Sequence, residues 1–325
     1  LTLDYYWERR KDILIQRSSL PSMAGFDASI YANMGEMDNK GVDANLEYQT
    51  RIGNKVGLRL FGNLTYSKNK IVFRDEPAMQ YAYQKSEGTR YGEFYGYIAE
   101  GYFQSEEEIK KSPRQMRELA PGDIKYKDLN DDGVIDANDQ CYLGKSWFPS
   151  WSYGMGFNIN YHNFDLALFF QGVSDVSIMA NGGSIDTGNG DWGASGVGIV
   201  PFTGMGLNPS NVITKALDRW TADNPRADAW YPRMTANATT NDNNYVNSTH
   251  WLKDGSYLRL KQASLGYTLE NKKLMDKGLE YLYFYLSGQN LLTFSKFKLW
   301  DPELGSNGAK YPLSRMVTLG MRVSF

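Results

Sequence analysis

The stretch "SYGMGFNINYHNFDLALFFQG", residues 152–172, decides the fold class. From Tyr153 to Tyr161 an aromatic or aliphatic residue stands at every second position, with serine, glycine or asparagine between. A period of two is that of a β-strand, whose side chains point alternately to the two faces of a sheet. His162 and Asn163 then predict a tight turn, and a second strand follows over 164–172. The stretch predicts an antiparallel hairpin with two very unlike faces.

The same alternation recurs along the chain, in 42–48, 56–66 and 317–325. A soluble sandwich and an outer-membrane barrel both produce this pattern. Three features favour the membrane. The strands run to about 10 residues, the length that crosses a bilayer at a tilt. Aromatic residues such as Trp7 cluster near strand ends, and short turns alternate with very long connections. The prediction is an all-β transmembrane antiparallel barrel with long extracellular loops.

Composition excludes several classes of function. The 325 residues carry a formal net charge of -2, so no nucleic-acid partner is expected. Cys141 is the single cysteine, and His162 and His250 lie far apart in the sequence. No catalytic template is present, and the protein is predicted not to be an enzyme. The chain opens inside a strand pattern without an apolar leader, which predicts a C-terminal portion of a longer protein.

The segment 123–143 contains a calcium-type loop, "DLNDDGVIDAND". A twelve-position calcium loop needs oxygen ligands at positions 1, 3, 5, 7, 9 and 12 and glycine at 6. Gly133 stands at position 6, and the ligand positions hold Asp128, Asn130, Asp132, Val134 (through its carbonyl), Asp136 and Asp139. Both flanks look extended, so we expect a structural calcium ion and no switch. An acidic turn without metal is the alternative.

Residues 173–256 predict one long extracellular loop. This segment is rich in glycine, asparagine and aspartate and contains Trp192, Trp220 and Trp230. A run of this composition is typical of a surface loop or lid. A short helix is expected after Ser105, with Glu108 completing a capping box.

Eight blocks spread over the chain resemble the C-terminal barrel part of SusC/RagA-type TonB-dependent outer-membrane transporters. The blocks are "NMGEMDNKGVDANLEY" (33–48), "LTYSKNKI" (64–71), "EFYGYIAEGYFQSEEEI" (93–109), "GDIKYKDLNDDGVIDANDQCYLG" (122–144), "NFDLALFFQGV" (163–173), "DRWTADNP" (218–225), "YLRLKQASLGYTL" (257–269) and "SGQNLLTFSKFKLWDPELG" (287–305). Their shared order makes the resemblance specific. On it, all of 1–325 belongs to the barrel, with the plug domain lying outside the chain.

The resemblance implies a barrel of roughly 22 strands in the outer membrane of a Gram-negative bacterium. It also implies active import of oligosaccharides or peptides, energised through TonB. The expected partners are outer-membrane lipid and a SusD-like surface lipoprotein, with dimers of such pairs. On the same resemblance Trp192, Trp220, Trp230 and Trp251 are candidate platforms for a sugar substrate, although each could equally pack the loop.

Two other functions stay open on the sequence. One is a secreted, calcium-stabilised carbohydrate-binding or scaffold β domain, although a dockerin would need a second calcium-type loop. The other is a glycan hydrolase, which would need two carboxylates about 5 to 10 Å apart in a cleft. No pair of acidic residues in the sequence favours it.

Overall fold

The computed structural model of the chain describes residues 1–19, 30–53, 55–181, 213–234, 242–270, 278–308 and 310–325. Over these ranges the regular secondary structure is mainly β-strand, with one short α-helix and a few 3-10 turns. The strands are β1 (Thr2–Gln16), β2 (Tyr31–Ile52), β3 (Val56–Phe73), β4 (Glu93–Gly96), β5 (Ala99–Tyr102), β6 (Ile124–Tyr126), β7 (Cys141–Ser146), β8 (Trp151–Tyr161), β9 (Phe164–Ser174), β10 (Ser177–Met179), β11 (Leu252–Asp254), β12 (Tyr257–Leu269), β13 (Tyr281–Ser295) and β14 (Met316–Ser324), and the α-helix α1 is Glu106–Lys111.

One antiparallel 8-stranded sheet dominates the structure, in the order β1-β2-β3-β8-β9-β12-β13-β14. At one end its strands are joined closely, by residues 53–55 between β2 and β3 and by 162–163 between β8 and β9. At the other end, residues 74–150 connect β3 to β8 and residues 175–256 connect β9 to β12. Most of the chain outside the sheet therefore lies at one end of it.

The hairpin predicted from 152–172 is confirmed. β8 and β9 pair antiparallel from Trp151 opposite Ser174 to Tyr161 opposite Phe164. His162 occupies the turn with a φ of 51°, a left-handed conformation that suits a two-residue hairpin connection. The tight turn fixes the register, and the register aligns the alternating apolar residues of β8 with Phe164, Leu166, Leu168 and Phe170 of β9 on one face. Phe169 lies on the opposite face, where its ring stacks on that of Phe61.

Apolar side chains cover one face of the large sheet and are exposed there. The registers align them from strand to strand; Leu60, for example, lies opposite Phe157, and Phe157 lies opposite Leu168. The exposed members span all eight strands: Leu3, Tyr5, Trp7, Leu46, Tyr48, Leu60, Leu64, Met155, Phe164, Leu265, Phe284, Leu286, Phe294, Leu319 and Met321. Soluble proteins rarely expose a contiguous apolar patch of more than a few hundred Å². This surface, the apolar band, fits hydrocarbon.

Aromatic rings border the apolar band at two heights. Tyr66 and Trp151 contact each other near the long-connection end, with ring centroids 4.4 Å apart. Phe164 and Tyr267 contact each other near the short-turn end, at 4.7 Å. The ten-residue step along β8 from Trp151 to Tyr161 spans about 33 Å, or about 25 Å of height at a tilt of about 40°. That height matches the hydrocarbon thickness covered by outer-membrane strands.

The opposite face of the sheet is polar. Its rows contain pairs such as Asn45 opposite Asn63. Arg59 donates from Nε to Glu47 at 2.6 Å and lies 5.0 Å from the Phe61 ring centroid. That ring covers Gly156 so closely that a Cβ there would collide with it. A charged and amide-rich face of this kind is suited to a wet lumen.

The six shorter strands form three separate two-stranded sheets, β4-β7, β5-β6 and β10-β11, within the long connections. α1 begins as the sequence predicts, because the Ser105 hydroxyl accepts the backbone N–H of Glu108 at 3.2 Å. The extended flanks predicted around the calcium-type loop are present as β6 and β7. None of the helices among the described residues is long and apolar enough to cross a membrane.

Two expectations are corrected by the structure. β2 has 22 residues and β3 has 18, well beyond the predicted ten, so both strands continue past the membrane-crossing height. The segment 173–256 is also not a surface loop throughout. It begins with the end of β9 and contains β10 and β11, and its described interior is buried.

The apolar band gives a direct test in the full-length protein. Leu286→Lys should destabilise the folded protein in lipid by about 1 to 3 kcal/mol. A lysine costs about 2 to 4 kcal/mol at the bilayer midplane and less toward the interface, and Leu286 lies one lipid-facing position from the Phe284–Tyr267 pair. Thr318→Lys is the matched control, because Thr318 pairs with Ser287 and so lies on the polar face at the same depth. Denaturant titrations in lipid vesicles measure both. Equal destabilisation by the two changes would contradict a lipid-facing band.

Candidate functional site

The long connections fold into a unit that we call the cap, made of the described parts of 74–150, 175–256 and 296–315. Most buried side chains lie there: among the buried apolar residues of the described chain, all but Ile71 and Tyr257 belong to the cap. One cluster forms its centre, comprising Tyr97, Tyr102, Ile124, Tyr126, Ile135, Met179, Ala216, Trp220, Ala229, Tyr231 and Trp251. The sheet supplies the wall and the cap holds the core.

Trp251 organises the centre of this cluster. Its side chain is 0% exposed and its ring makes edge contacts with Trp230 at 5.4 Å and Tyr231 at 5.5 Å. Tyr245 stacks on it at 5.6 Å. The indole Nε1–H donates to the Asn244 carbonyl at 2.7 Å, so the buried polar group is satisfied. The ring thus joins several parts of one long connection.

A buried carboxylate ties that connection to the other one. Asp123, 1% exposed, accepts from Arg233 Nη2 at 2.9 Å and from Asn244 Nδ2 at 2.8 Å. It also accepts the backbone N–H of Ala120 at 2.9 Å. A buried charge requires such partners, because an unpaired one costs several kcal/mol. Removing the Arg233 or Asn244 side chain would loosen the contact of these two residues with the segment 120–126.

Arg259 on β12 pins the cap to the sheet. The guanidinium is 1% exposed and its Nη2 donates to both carboxylate oxygens of Asp301, at 2.7 and 2.8 Å. Glu303 lies 3.5 Å from its Nη1 and also accepts from the Tyr257 hydroxyl. The pairing holds the β13–β14 connection above the polar face of the sheet.

A cavity of about 920 Å³ lies where these segments meet. Pockets of this size are in the range that holds small-molecule ligands. Its wall is unusual in combining several lysines with aromatic rings. The lining residues are Ile213, Thr214, Lys215, Trp230, Lys253, Asp254, Lys296, Phe297, Lys298, Leu299, Trp300 and Gly308.

Lys253 is the most constrained cation of this wall. Its Nζ lies 5.4 Å from the ring centroid of Trp230 and donates to the His250 carbonyl at 2.6 Å. Burial, and then Lys215, lower the pKa of Lys253. Burial, and then Lys253, lower the pKa of His250 to about 4, so its imidazole is neutral at pH 7. His250 Nε2 lies 3.2 Å from the Trp230 carbonyl.

The structure places the four predicted tryptophan platforms differently. Trp251 is fully buried, so the prediction that it is a substrate platform is wrong. Trp192 lies outside the described residues. Trp220 is 6% exposed, and its ring covers Gly122 so closely that a Cβ there would collide with it. Its faces are used for packing and are not open to a substrate. Trp230 is half-buried and lines the cavity.

Sequence reasoning missed the lysines of the cavity. They come from three segments, at 215, 253 and 296–298, and no local motif connects them. Trp300 was also missed as a site residue; its Nε1–H donates to the Gly305 carbonyl at 2.8 Å, which sets its ring at the cavity wall. The alternation of lysines at 296 and 298 was the one available signal.

The calcium-type loop is folded by its own hydrogen bonds. Asp128 accepts the backbone N–H groups of Asp131 and Gly133, at 2.7 and 2.8 Å. Asp139 is 0% exposed and accepts those of Leu129 and Asp136, at 2.7 and 2.9 Å. Among the described residues no group of three or more His, Cys, Asp or Glu side chains is placed to hold a metal ion.

The other candidate ligands also take part in hydrogen bonds within the loop or adjoin the cap core. Asn130 donates through Nδ2 to Asp132 at 2.8 Å, and its Oδ1 accepts the backbone N–H of Asp132 at 3.2 Å. Asp136 caps the following turn by accepting from Asn138 N at 2.7 Å. Val134 occupies position 7 of the calcium-type loop. The next residue, Ile135, is 1% exposed and belongs to the cap core.

The chain is similar in sequence to TonB-dependent receptors. It is 28% identical to TonB-dependent receptor P3 of Formosa agariphila, over 100% of this chain and 32% of that receptor. It is 22% identical to TonB-dependent receptor SusC of Bacteroides thetaiotaomicron, over 99% of this chain and 30% of that receptor. The chain thus spans about a third of the length of these relatives. No protein-family model matches it.

A solved structure shares the fold. The RagAB peptide importer in its closed-closed state matches 99% of this chain and 33% of its own, with a TM-score of 0.70 and 22% identity. The eight-stranded sheet therefore has the fold of a segment of an outer-membrane β-barrel wall, and the chain is similar in sequence to TonB-dependent receptors over its whole length.

The neutral His250 makes the cap sensitive to acid. Its pKa is about 4 in the folded chain against 6.5 when exposed, so between these values only the unfolded form takes up the proton. Cap stability should therefore fall as the pH falls through this window, by about 1.4 kcal/mol per unit. Hydrogen exchange of residues 242–254, corrected for the intrinsic rate, measures the loss.

The matched variants are His250→Gln and His162→Asn. Glutamine keeps a donor for the Trp230 carbonyl but does not titrate, so it should flatten the pH dependence of cap exchange. His162 lies in the distant hairpin turn, and its replacement should leave that dependence unchanged. An unaltered pH dependence in His250→Gln would contradict the assignment.

Proposed function

We propose that this chain forms part of the barrel wall and the outer cap of a TonB-dependent importer of oligomeric nutrients. The observation that carries the proposal is the pairing of an exposed apolar band on one sheet face with a charged, amide-rich opposite face. Such a sheet separates hydrocarbon from an aqueous passage. A nutrient would move along the polar face.

The cap supports the same function. Its buried aromatic core and the Arg259–Asp301 pair hold a preformed cavity at the end of the sheet that carries the long connections. A solved structure titled a peptide importer supports a peptide nutrient, and the sequence resemblance adds oligosaccharides as the other class. We extend the proposal to a SusD-like surface lipoprotein meeting the cap and to energy input through TonB. Dimers of such pairs remain a prediction.

A secreted, soluble carbohydrate-binding or scaffold domain is the weaker proposal. It would have to leave apolar side chains on all eight strands of the sheet in water, including Leu319 at 80% exposure and Leu3 at 67%. A calcium-type loop fits either function. The apolar band fits only a lipid-facing wall or an interface as large as the sheet itself.

The import function is tested with the full-length protein in its native membrane. We expect it to fractionate with the outer membrane and to need detergent for extraction. Cells should take up oligosaccharides or peptides from a labelled library in its presence, and deletion of TonB should abolish that uptake. Fractionation with the soluble proteins, or uptake that is independent of TonB, would overturn the proposal.

We also propose that the loop at 128–139 binds a structural calcium ion. The turn it requires is supported by Gly133, which has a φ of 82° at the position where a calcium loop turns sharply. The proposed ligands are Asp128, Asn130, Asp132, the carbonyl of Val134, Asp136 and Asp139. Each carboxylate oxygen that accepts one backbone N–H keeps a second lone pair for an ion. The carboxylates would have to turn inward to meet it.

Calcium should protect this loop from proteases. In the full-length protein, Asp128→Asn with Asp132→Asn should remove the difference in cleavage between calcium and chelator. Each asparagine keeps one of the two acceptor oxygens that the aspartate uses. The control is Asp131→Asn, at a non-ligand position with a φ of 59° that asparagine tolerates. Limited proteolysis of 123–143 with calcium and with chelator measures the effect. If the unsubstituted protein is cleaved identically with calcium and with chelator, the proposed calcium site is wrong.

A further inference from the structure

The cavity beside Trp230 carries an unbalanced positive charge. Four lysines line it against one carboxylate, that of Asp254. Lys215 has a counter-ion in Asp218, whose carboxylate lies 2.7 Å from its Nζ. For Lys253, Lys296 and Lys298 there is no ion pair within the part of the chain that the structure describes.

Gathering these cations has an energetic cost that a bound anion would remove. Like charges in one cavity repel, and the repulsion is strongest where a cation is removed from water. Lys253 is held in such a position, over the Trp230 ring and against the His250 carbonyl. Its lowered pKa reflects burial and the nearby Lys215, and an anionic group placed beside it would offset both effects. Lys296 and Lys298 are exposed and reach the same cavity from the β13–β14 connection.

Aromatic rings on the wall favour a saccharide ligand. Trp230 and Trp300 both line the cavity, and each is fixed in place by contacts on its other sides. Trp230 packs against Trp251 at 5.4 Å, and Trp300 packs against Phe297 at 4.8 Å with Gly308 closely beside it. Rigid indole rings offer flat apolar surfaces onto which the C–H face of a pyranose packs with little loss of side-chain entropy.

We infer that this cavity binds acidic oligosaccharides. Carboxylate or sulfate groups of the glycan pair with Lys253 and Lys298, and its sugar rings pack against Trp230 and Trp300. The inference rests on the proposed function and narrows its substrate class from oligomeric nutrients to anionic glycans. The lysines come from separate segments, so the ligand would also bridge parts of the cap that are distant in sequence.

Calorimetric titration of the full-length protein in detergent tests the inference. The probes are tetragalacturonate, which carries carboxylates, and a heparin tetrasaccharide, which carries sulfates. The comparison ligands are the neutral methyl ester of tetragalacturonate and a tetraglutamate peptide. We expect at least one acidic saccharide to bind, and the neutral ester and the peptide to bind at least about tenfold more weakly. Raising the salt concentration should weaken the binding of the acidic saccharide.

Variants link the binding to the cavity. The double variant Lys253→Gln with Lys298→Gln should lower the affinity for the acidic saccharide by about tenfold or more. The corresponding double arginine variant should keep most of the affinity. Lys110→Gln with Lys111→Gln, on the exposed end of α1, is the matched control and should change nothing. Binding that survives loss of the two cavity lysines would overturn the assignment.

The remaining outcomes separate this inference from the proposed function. If neither acidic saccharide binds, or if the neutral ester or the peptide binds equally well, the acidic-glycan assignment is wrong. TonB-dependent uptake of neutral oligomers or peptides by cells that carry the protein would then show that the import function stands without it. If the protein does not fractionate with the outer membrane, the import function itself fails.

Discussion

The whole structure depends on satisfying the backbone of a wall that faces hydrocarbon. Lipid offers no hydrogen bonds to exposed N–H and C=O groups, so each strand must pair along its crossing length. The ladder from β1 to β14 does this on both sides of the six inner strands and on one side of β1 and β14, and its registers hold alternate side chains on opposite faces. The exposed apolar band and the polar face both follow from this single arrangement.

A single-layered sheet of this kind has no buried hydrophobic core of its own. Its apolar side chains face lipid and its polar side chains face water, so the compact core is displaced into the cap. There Trp251 and its aromatic neighbours bury apolar surface, and Asp123 joins the two long connections through charge-assisted hydrogen bonds. Arg259 then couples the cap to β12. Long connections that seemed suited to a surface loop thereby become a rigid platform.

The cavity owes its chemistry to that platform. Trp230 is held from beneath by Trp251, and Lys253 is held against Trp230 and the His250 carbonyl. The site therefore presents a cation and an aromatic ring in a set geometry before any ligand arrives. Preorganisation of this kind lowers the entropy that binding must overcome.

The sequence by itself determined the wall. The alternation over 153–161 and the turn after it predicted the β8–β9 hairpin and the face that meets lipid, because successive side chains of a strand point to opposite faces of the sheet. The start of α1 at Ser105 and the extended flanks of the calcium-type loop were also predictable from the sequence, because helix capping and strand patterns depend on nearby residues.

Only the tertiary structure decided the cap and its cavity. Burial of Trp220, availability of Trp230 and the meeting of Lys253 with Lys298 all depend on contacts between segments far apart in the chain. A loop composition rich in glycine and asparagine carries no period that would reveal such contacts. The local sequence of these residues predicts a surface loop. Packing between the two long connections is what forms the cap core and the lysine-lined cavity.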